Sequence, residues 1–364
     1  MDITRSYVTK SLAKNLSFLA IFMPYKHVQN AIRYFMQIKI PKRIIEITSY
    51  NIGKKLISYF QKDLTPKEKE ILYKKEFEQI EVQYFQTDGG HTPLIEKTNE
   101  LDDDGKKLYK EETNKNQKQQ KKNYREVKLG LFFTNSDVKK NGIKNKNTIE
   151  NRKFSVSIRH GLNHFIQATK KRAEIIGALQ ANITVFISDG AKWCKTVQTE
   201  IFPNAIRILD WYHASEHLWE TAIKLFGDKN KEAYTLWAKP IEELLWDGKI
   251  DDALKMIRET IDSTKKQTTD LWNLYHYYNK NKEAMKYKEF REKGFFIGSG
   301  AIESAIKYIM TSRFKLTGCA WRRDNAEALM WLRTKYFEDN WDGFWDNINY
   351  RQFLDEENLI QMTG

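Results

Sequence analysis

Two stretches decide the fold: Ile187-Ser188-Asp189-Gly190-Ala191-Lys192-Trp193 and Ile208-Leu209-Asp210-Trp211-Tyr212-His213. Each closes a short apolar run, 183–187 and 206–209, with the make-up of a buried strand, and each closes it on an aspartate. Asp189 is followed at once by glycine and by a segment compatible with a helix. A carboxylate at the C-terminal end of a buried strand sits where ligands bind in open α/β sheets. Such a group suits a hard, oxygen-seeking cation. Standing alone it is equally a helix cap, so the reading depends on partners.

Working outward, alternating or apolar runs at 80–86, 127–133 and 154–158 read as three earlier strands. Residues 164–179 carry an amphipathic helical pattern, and 215–293 read as almost entirely helical, with Trp219, Trp237, Trp246 and Trp272 as bulky anchors. The break Gly294-Phe-Phe-Ile-Gly-Ser-Gly300 introduces a helix at 301–312, and another follows at 324–338. Residues 99–123 and 139–146 are polar and read as loops. Three neighbouring strands followed by βαβ units predict an α/β protein, a mixed sheet flanked by helices.

The amino-terminal 75 residues read as helices, with breaks at Pro24 and Ile40-Pro41. Residues 1–58 hold ten Lys and Arg against Asp2 and Glu46, a surplus of eight positive charges in a chain of net charge +13. That imbalance points to a polyanion such as DNA. The second helix of the pair, with Lys42, Arg43, Lys54 and Lys55, resembles the reading element of a helix-turn-helix. A packed helical hairpin with a solvated basic face fits the same pattern. No apolar run reaches the length of a bilayer span, and the stretch 16–23 reads as a packed helix closed by Pro24. Cys194 and Cys319 form no ligand-spaced cluster and suit a reducing compartment.

Three acids stand at structural punctuation. Asp88 precedes Gly89-Gly90 at the end of the first strand, Asp189 ends the fourth, and Glu303 lies in the first turn of the helix entered through Gly298-Ser299-Gly300. Singly, each has an ordinary explanation: a turn, a helix cap, a first-turn acid. Jointly, converging carboxylates without cysteine or histidine select magnesium or manganese. Paired divalent ions hold phosphate, activate water or a 3′-hydroxyl and stabilise the leaving oxygen.

At these residues the chain resembles the DDE-type transposases of bacterial insertion sequences, close to the Kra-type group and related to mutator-like elements. The blocks that carry the likeness are QTDGGHTPLIEK (86–97), REVKLG (125–130), ISDGAKW (187–193), FPNAIRILDWYHASEHLWE (202–220), GSGAIES (298–304) and SRFKLTGCAWRRDNAEALMWLR (312–333). The resemblance implies a ribonuclease H-like catalytic core with an all-α insertion before the last acid. It implies magnesium-dependent strand cleavage and strand transfer at element ends, with Asp88, Asp189 and Glu303 as catalytic, metal-binding acids for two ions. Asp210-Trp211-Tyr212-His213 matches the Cys/Asp-x-x-His motif of such enzymes, which makes Asp210 a rival metal ligand and gives His213 a supporting role. Arg313, Lys315, Trp321 and Arg322 fall where relatives carry a basic-aromatic block, and phosphate contact and base stacking follow as expected roles.

On this reading 1–75 is a DNA-binding region and 76–212 the first part of the core. Residues 213–296 form the helical insertion and 297–364 the rest of the core. The partners are the element's terminal inverted repeats and target DNA, bound by a homo-oligomer in a prokaryotic cytoplasm, with no membrane. The insertion at 99–123 is longer than the resemblance implies. Two other readings compete. His213-Ala214-Ser215-Glu216-His217 fits the H-x-x-E-H pattern of zinc peptidases, but it leaves the three acids without work. A DNA-binding protein without catalysis is the other.

Overall fold

The computed structural model describes residues 8–74, 78–95, 122–141, 146–158, 161–264 and 269–347. Four helices open the chain: α1 (Lys10–Phe22), α2 (Tyr25–Met36), α3 (Lys42–Phe60) and α4 (Pro66–Lys74). Strands β1 (Val82–Ile95), β2 (Lys122–Thr134), β3 (Val138–Asn141), β4 (Lys146–Ile149) and β5 (Lys153–Ser157) follow. Next come α5 (Asn163–Ile175), β6 (Ile183–Ser188), α6 (Lys192–Ile201) and β7 (Ile206–Leu209). The helical block comprises α7 (Trp211–Phe226), α8 (Lys231–Trp246), α9 (Ile250–Ser263), α10 (Thr269–Asn281) and α11 (Tyr287–Glu292). The chain closes with α12 (Gly300–Ala305), α13 (Ser312–Phe314), α14 (Arg323–Phe337) and α15 (Trp341–Asn347).

The main sheet has five strands in the order β5-β2-β1-β6-β7, so the chain is an α/β protein with a mixed sheet flanked by helices. This is the arrangement expected of a ribonuclease H-like core. β2 and β5 are antiparallel, whereas β1, β6 and β7 are parallel. Parallel strands covered on both faces must be apolar throughout, and the last four residues of β6 are all buried.

The chain divides into two compact units, with the divisions inside β1, between Asp88 and Gly89, and inside α12, between Ile302 and Glu303. In the first unit α3 and α14 form the centre. Gly53 lets them touch: a Cβ there would collide with the Ala328 carbonyl. Phe60 stacks on Trp331 at 4.5 Å between ring centroids. Prolines set the helix starts, because Pro24 and Pro41 fix their own φ and disfavour helix in the residue before them. In the second unit Phe85, Phe186 and Phe202 form the core between β1, β6 and the end of α6. The helical block packs through Tyr278 and Tyr287, both fully buried.

Three details depart from the sequence reading. β1 does not end at Asp88-Gly89-Gly90 but runs on to Ile95, and both glycines are extended strand residues. They are needed for close approach: a Cβ on Gly89 would meet Glu126 and one on Gly90 would meet Met310. The segment read as a loop at 139–146 contributes to a two-stranded pair, β3 with β4, Val138 opposite Ile149; residues 142–145 lie outside the described residues. The helix expected at 301–312 is interrupted by a π-turn, Ile306–Thr311, whose Tyr308 and Ile309 carbonyls accept from the buried Arg333 guanidinium. Of the polar segment 99–123, all but Lys122 and Asn123 lies outside the described residues.

Candidate active site

The registers of the parallel strands place three aspartates on one line. Gln86 of β1 pairs with Ile187 of β6, and Ile187 pairs with Ile208 of β7. Two residues further along stand Asp88, inside β1, and Asp189 and Asp210, just past the C-terminal ends of β6 and β7, all in the second unit. Neighbouring strands lie about 4.8 Å apart, so consecutive members are within reach of a shared ligand. The Asp210 amide extends the ladder by donating to the Ser188 carbonyl at 2.9 Å.

The three carboxylates are held differently. Asp88 is half-buried within β1 and is not a turn residue. Asp189 is also half-buried, and its Oδ1 accepts from the Ala191 amide at 2.9 Å and from the Cys194 thiol at 3.5 Å. The cap explanation is thus realised with one oxygen, and its Oδ2 has no hydrogen-bond partner among the described residues. Burial, with the neighbouring Asp189 charge, pushes the Cys194 thiol up, so it stays a donor. The Asp189 carbonyl accepts from the Tyr277 hydroxyl at 2.7 Å. Gly190 then takes φ of +85°, packed against Leu209 and Tyr277. Both the positive φ and the lack of room exclude a side chain there.

Asp210 is fully buried and its oxygens are occupied. Oδ1 accepts from the Ser299 amide at 2.8 Å, and Oδ2 accepts from the His213 amide at 3.1 Å and meets His213 Nδ1 at 2.5 Å. It is the N-cap of α7. Burial alone would raise its pKa, but the hydrogen bonds from His213 and Ser299 outweigh it and hold the carboxyl below its ordinary range. His213 is pushed up to about 9, first by the Asp210 hydrogen bond, against burial, with the charges of Asp210, Asp88 and Asp189 adding to it. It is therefore an imidazolium at neutral pH, close enough to all three aspartates to feel them. Asp210 and His213 belong to a group of acidic and histidine side chains with metal-ligand spacing.

The entrance to α12 is fixed to the same strands. The Gln86 side chain donates to the Gly298 carbonyl at 3.2 Å and accepts from the Ile302 amide at 3.1 Å. Gly298 is hemmed in by Tyr212 and Asp210. Glu303 is the residue that follows Ile302 in this helix, just beyond the division between the units.

The zinc-peptidase pattern has another use. His213 Nδ1 is engaged by Asp210, the His217 ring packs edge-on against Tyr277 at 4.7 Å, and the group with metal-ligand spacing contains neither Glu216 nor His217. A protonated His213 must also lose its proton before it can bind a metal.

Among the basic candidates, Lys42, Arg43 and Lys54 are exposed on α3 and Lys55 is half-buried. Their helix buries a full face, from Ile45 to Phe60. Lys315 is exposed, as is Arg322 at the start of α14. Arg313 is buried, 1% exposed, and its Nε donates to the Ala20 carbonyl. This removes it from the surface contacts expected of it. Trp321 is buried, with the Arg313 guanidinium at 4.7 Å and the Phe314 ring at 4.8 Å from its ring, and so is not a surface platform for base stacking. A basic feature that sequence reading missed lies beside Asp189. A cavity of about 290 Å³ is lined by Gly190, Lys192, Lys195, Arg207 and Lys280, with Glu200 as the acid. Lys192 and Lys195, spaced to share a face of α6 directly after Asp189-Gly190, were the available signal.

No protein-family model and no curated protein matches the chain. Among solved structures it is similar to a chain of the Drosophila P element transposase strand transfer complex, at 8% identity and a TM-score of 0.29, covering 94% of this chain and 82% of that one. A likeness at that level carries no argument, so function rests on the site. No helix among the described residues is long and apolar enough to cross a membrane.

Proposed function

We propose that this protein is a metal-dependent DNA strand transferase of the insertion-sequence transposase type, in keeping with its resemblance to the Kra-type group. The observation that carries the reading is the alignment of Asp88, Asp189 and Asp210 on one line across three adjacent parallel strands. Asp88 and Asp189, joined by Glu303 from α12, are the proposed ligands of two magnesium or manganese ions. Their donor chemistry fits: carboxylate oxygens, with the neighbouring Cys194 thiol buried and protonated. Asp210 is reassigned from rival ligand to positioning residue, because both its oxygens already serve Ser299 and His213.

The chemistry such ions supply when bound is activation of water or a 3′-hydroxyl and neutralisation of charge on the phosphate. The chain's own groups do the rest. His213, kept cationic by Asp210, offers its Nε2–H to a phosphate oxygen. Lys192, Lys195, Lys280 and Arg207 draw the DNA backbone toward Asp189, and Lys42, Arg43, Lys54, Lys55, Lys315 and Arg322 are proposed to extend that contact. The proposed substrate is double-stranded DNA bearing the element's terminal repeats, handled by a homo-oligomer in a prokaryotic cytoplasm.

The test is a strand-transfer assay with purified protein on duplexes ending in the inverted repeats that flank its gene. Cleavage is expected with Mg²⁺ and not with EDTA, and Asp88→Asn, Asp189→Asn and Glu303→Gln should each abolish it. Cleavage that survives all three, or needs no divalent ion, overturns the reading. Binding without any cleavage by the unaltered protein would instead mark a DNA-binding protein that has no catalysis. Binding should weaken steeply with salt, as phosphate contacts release counterions.

A further inference from the structure

The corner between α2 and α3, in the first unit, turns apolar side chains outward. Arg33 to Lys39 are all exposed, and within that run Tyr34 is 78% and Phe35 81% exposed, with Met36 and Ile38 beside them. Exposed apolar residues are ordinarily scattered singly, so four in five consecutive positions mark a contact surface. The run is not a loose end. Val28, Ile32, Ile40 and Ile45 lock α2 and α3 into one core cluster beneath it, and the Gln29 side chain donates to the Ile40 carbonyl at 2.8 Å. Tyr34 and Phe35 meet edge-on at 5.5 Å between ring centroids. Gln37 closes α2 in the left-handed region, at φ of 57°, a conformation disfavoured for a residue with a Cβ. Its side chain donates to the Tyr34 carbonyl at 3.3 Å. The apolar tip is thus built outward on a packed base.

Charge identifies the partner. No acid occurs between Asp2 and Glu46, whereas Lys26, Arg33, Lys39, Lys42 and Arg43 are all exposed on the two helices and their turn. A second copy meeting this face symmetrically would set two cationic rims against each other. A polyanion with flat apolar groups inside its charged edge fits both parts, and duplex DNA is that polyanion. Cations hold its phosphates while large apolar side chains enter between base pairs from the minor groove. The mode expected of a helix-turn-helix, with the second helix laid in the major groove, does not fit. Along α3 the exposed residues are Lys42, Arg43, Lys54 and Tyr59, so the helix has no continuous face to lay there. The exposed element is the corner.

We propose that Tyr34 and Phe35, backed by Met36 and Ile38, form a wedge that inserts at a base-pair step of duplex DNA and bends it. Arg33, Lys39, Lys42 and Arg43 would hold the flanking phosphates. This rests on DNA being the partner proposed above, but not on the strand chemistry of Asp88, Asp189 and Glu303. The test is energy transfer between the labelled ends of a short duplex with a central TA step, which kinks readily. Full-length protein is added in EDTA, so that no strand is cut. Binding should bring the ends closer, by a bend of about 20–90°, and brighten a 2-aminopurine placed at that step as it unstacks. Tyr34→Ala/Phe35→Ala should lose both signals and about tenfold or more in affinity. Its salt dependence should stay, because every cation remains. The exchange Tyr34→Phe/Phe35→Tyr should keep both signals, and urea midpoints should match in all three proteins because both side chains are exposed. Asp189→Asn should bend DNA as the unaltered protein does. Bending without cleavage by the unaltered protein in Mg²⁺ therefore fails the strand-transfer reading alone, and cleavage of DNA that stays straight fails the wedge alone. A duplex that stays straight when bound, or an alanine variant that bends it and binds within twofold, overturns the proposal. So does a DNA-independent dimer, or binding to phosphatidylglycerol vesicles, that the alanine variant loses while still bending DNA; these assign the tip to a second copy or to a membrane surface.

Discussion

The parallel strands of the second unit and the starts of the helices in the first are opposite electrostatic constructions. The strands gather carboxylates, Asp88, Asp189 and Asp210 on one line. The helix starts gather donors, with Lys42, Arg313 and Arg322 around a cavity. Each region also separates a structural charge from a working one. Asp210 is buried with both oxygens used, while Asp189 is half-buried and keeps Oδ2 open. Arg313 is buried on the Ala20 carbonyl, while Arg322 is exposed. The contrast teaches that a charged residue's motif does not assign its role; the count of its satisfied hydrogen bonds does.

The sharpest way to break this contrast is to neutralise the two aspartates in turn. Asp189→Asn should lower metal-dependent cleavage on the order of a thousandfold while the urea unfolding free energy moves by less than about 1 kcal/mol. Single-turnover cleavage and urea unfolding on the same preparation read both. Asp210→Ala should do the reverse in kind, removing about 3–5 kcal/mol of stability, because it strips the α7 cap and takes away the buried carboxylate that accepts from His213 and from the Ser299 amide. If Asp189→Asn unfolds the protein, or Asp210→Ala leaves stability intact, their roles are exchanged.

The strand-end edge was largely legible from the chain itself, because an apolar run stopping at Asp-Gly before a helix has few structural meanings. Asp88 was legible as a residue of interest but not as a mid-strand one. The turn signal of Gly89-Gly90 gave way to tertiary need, the close approach of Glu126 and Met310. The helix-start cavity was not legible, since its wall comes from residues as distant as Pro24, Lys42, Ile95 and Arg313. Arg313 itself misled: in sequence it belongs to a basic run, and only the fold turns it inward onto the Ala20 carbonyl. The β3–β4 pair escaped for a different reason, as short polar strands lack an apolar period to read.

Two smaller effects sharpen the comparison. Gly53→Ala puts a methyl into the Ala328 carbonyl, so α3 and α14 must separate. About 1–3 kcal/mol of stability should be lost. Equilibrium unfolding in urea checks this. The pH dependence of His213 is the mildest. Its pKa rises from 6.5 to about 9 on folding, so its contribution is complete below pH 6.5 and is lost as pH climbs through 9. Stability should therefore decline by about 1–2 kcal/mol across that window after allowance for solvent screening. Denaturation midpoints between pH 6 and pH 10 should flatten in His213→Gln; an equal slope in both proteins would remove His213 as the cause.

The Trp211 amide donates to the Ile297 carbonyl, Asn281 accepts from Arg207, and Tyr277 reaches back to the Asp189 carbonyl. The five-helix excursion from α7 to α11 thus leaves and returns at neighbouring points, with one rung tied in between. Its outer helices can lengthen, shorten or acquire new surfaces without displacing the acids, which makes this excursion the place where lineages of the protein would diversify while the chemistry stayed still.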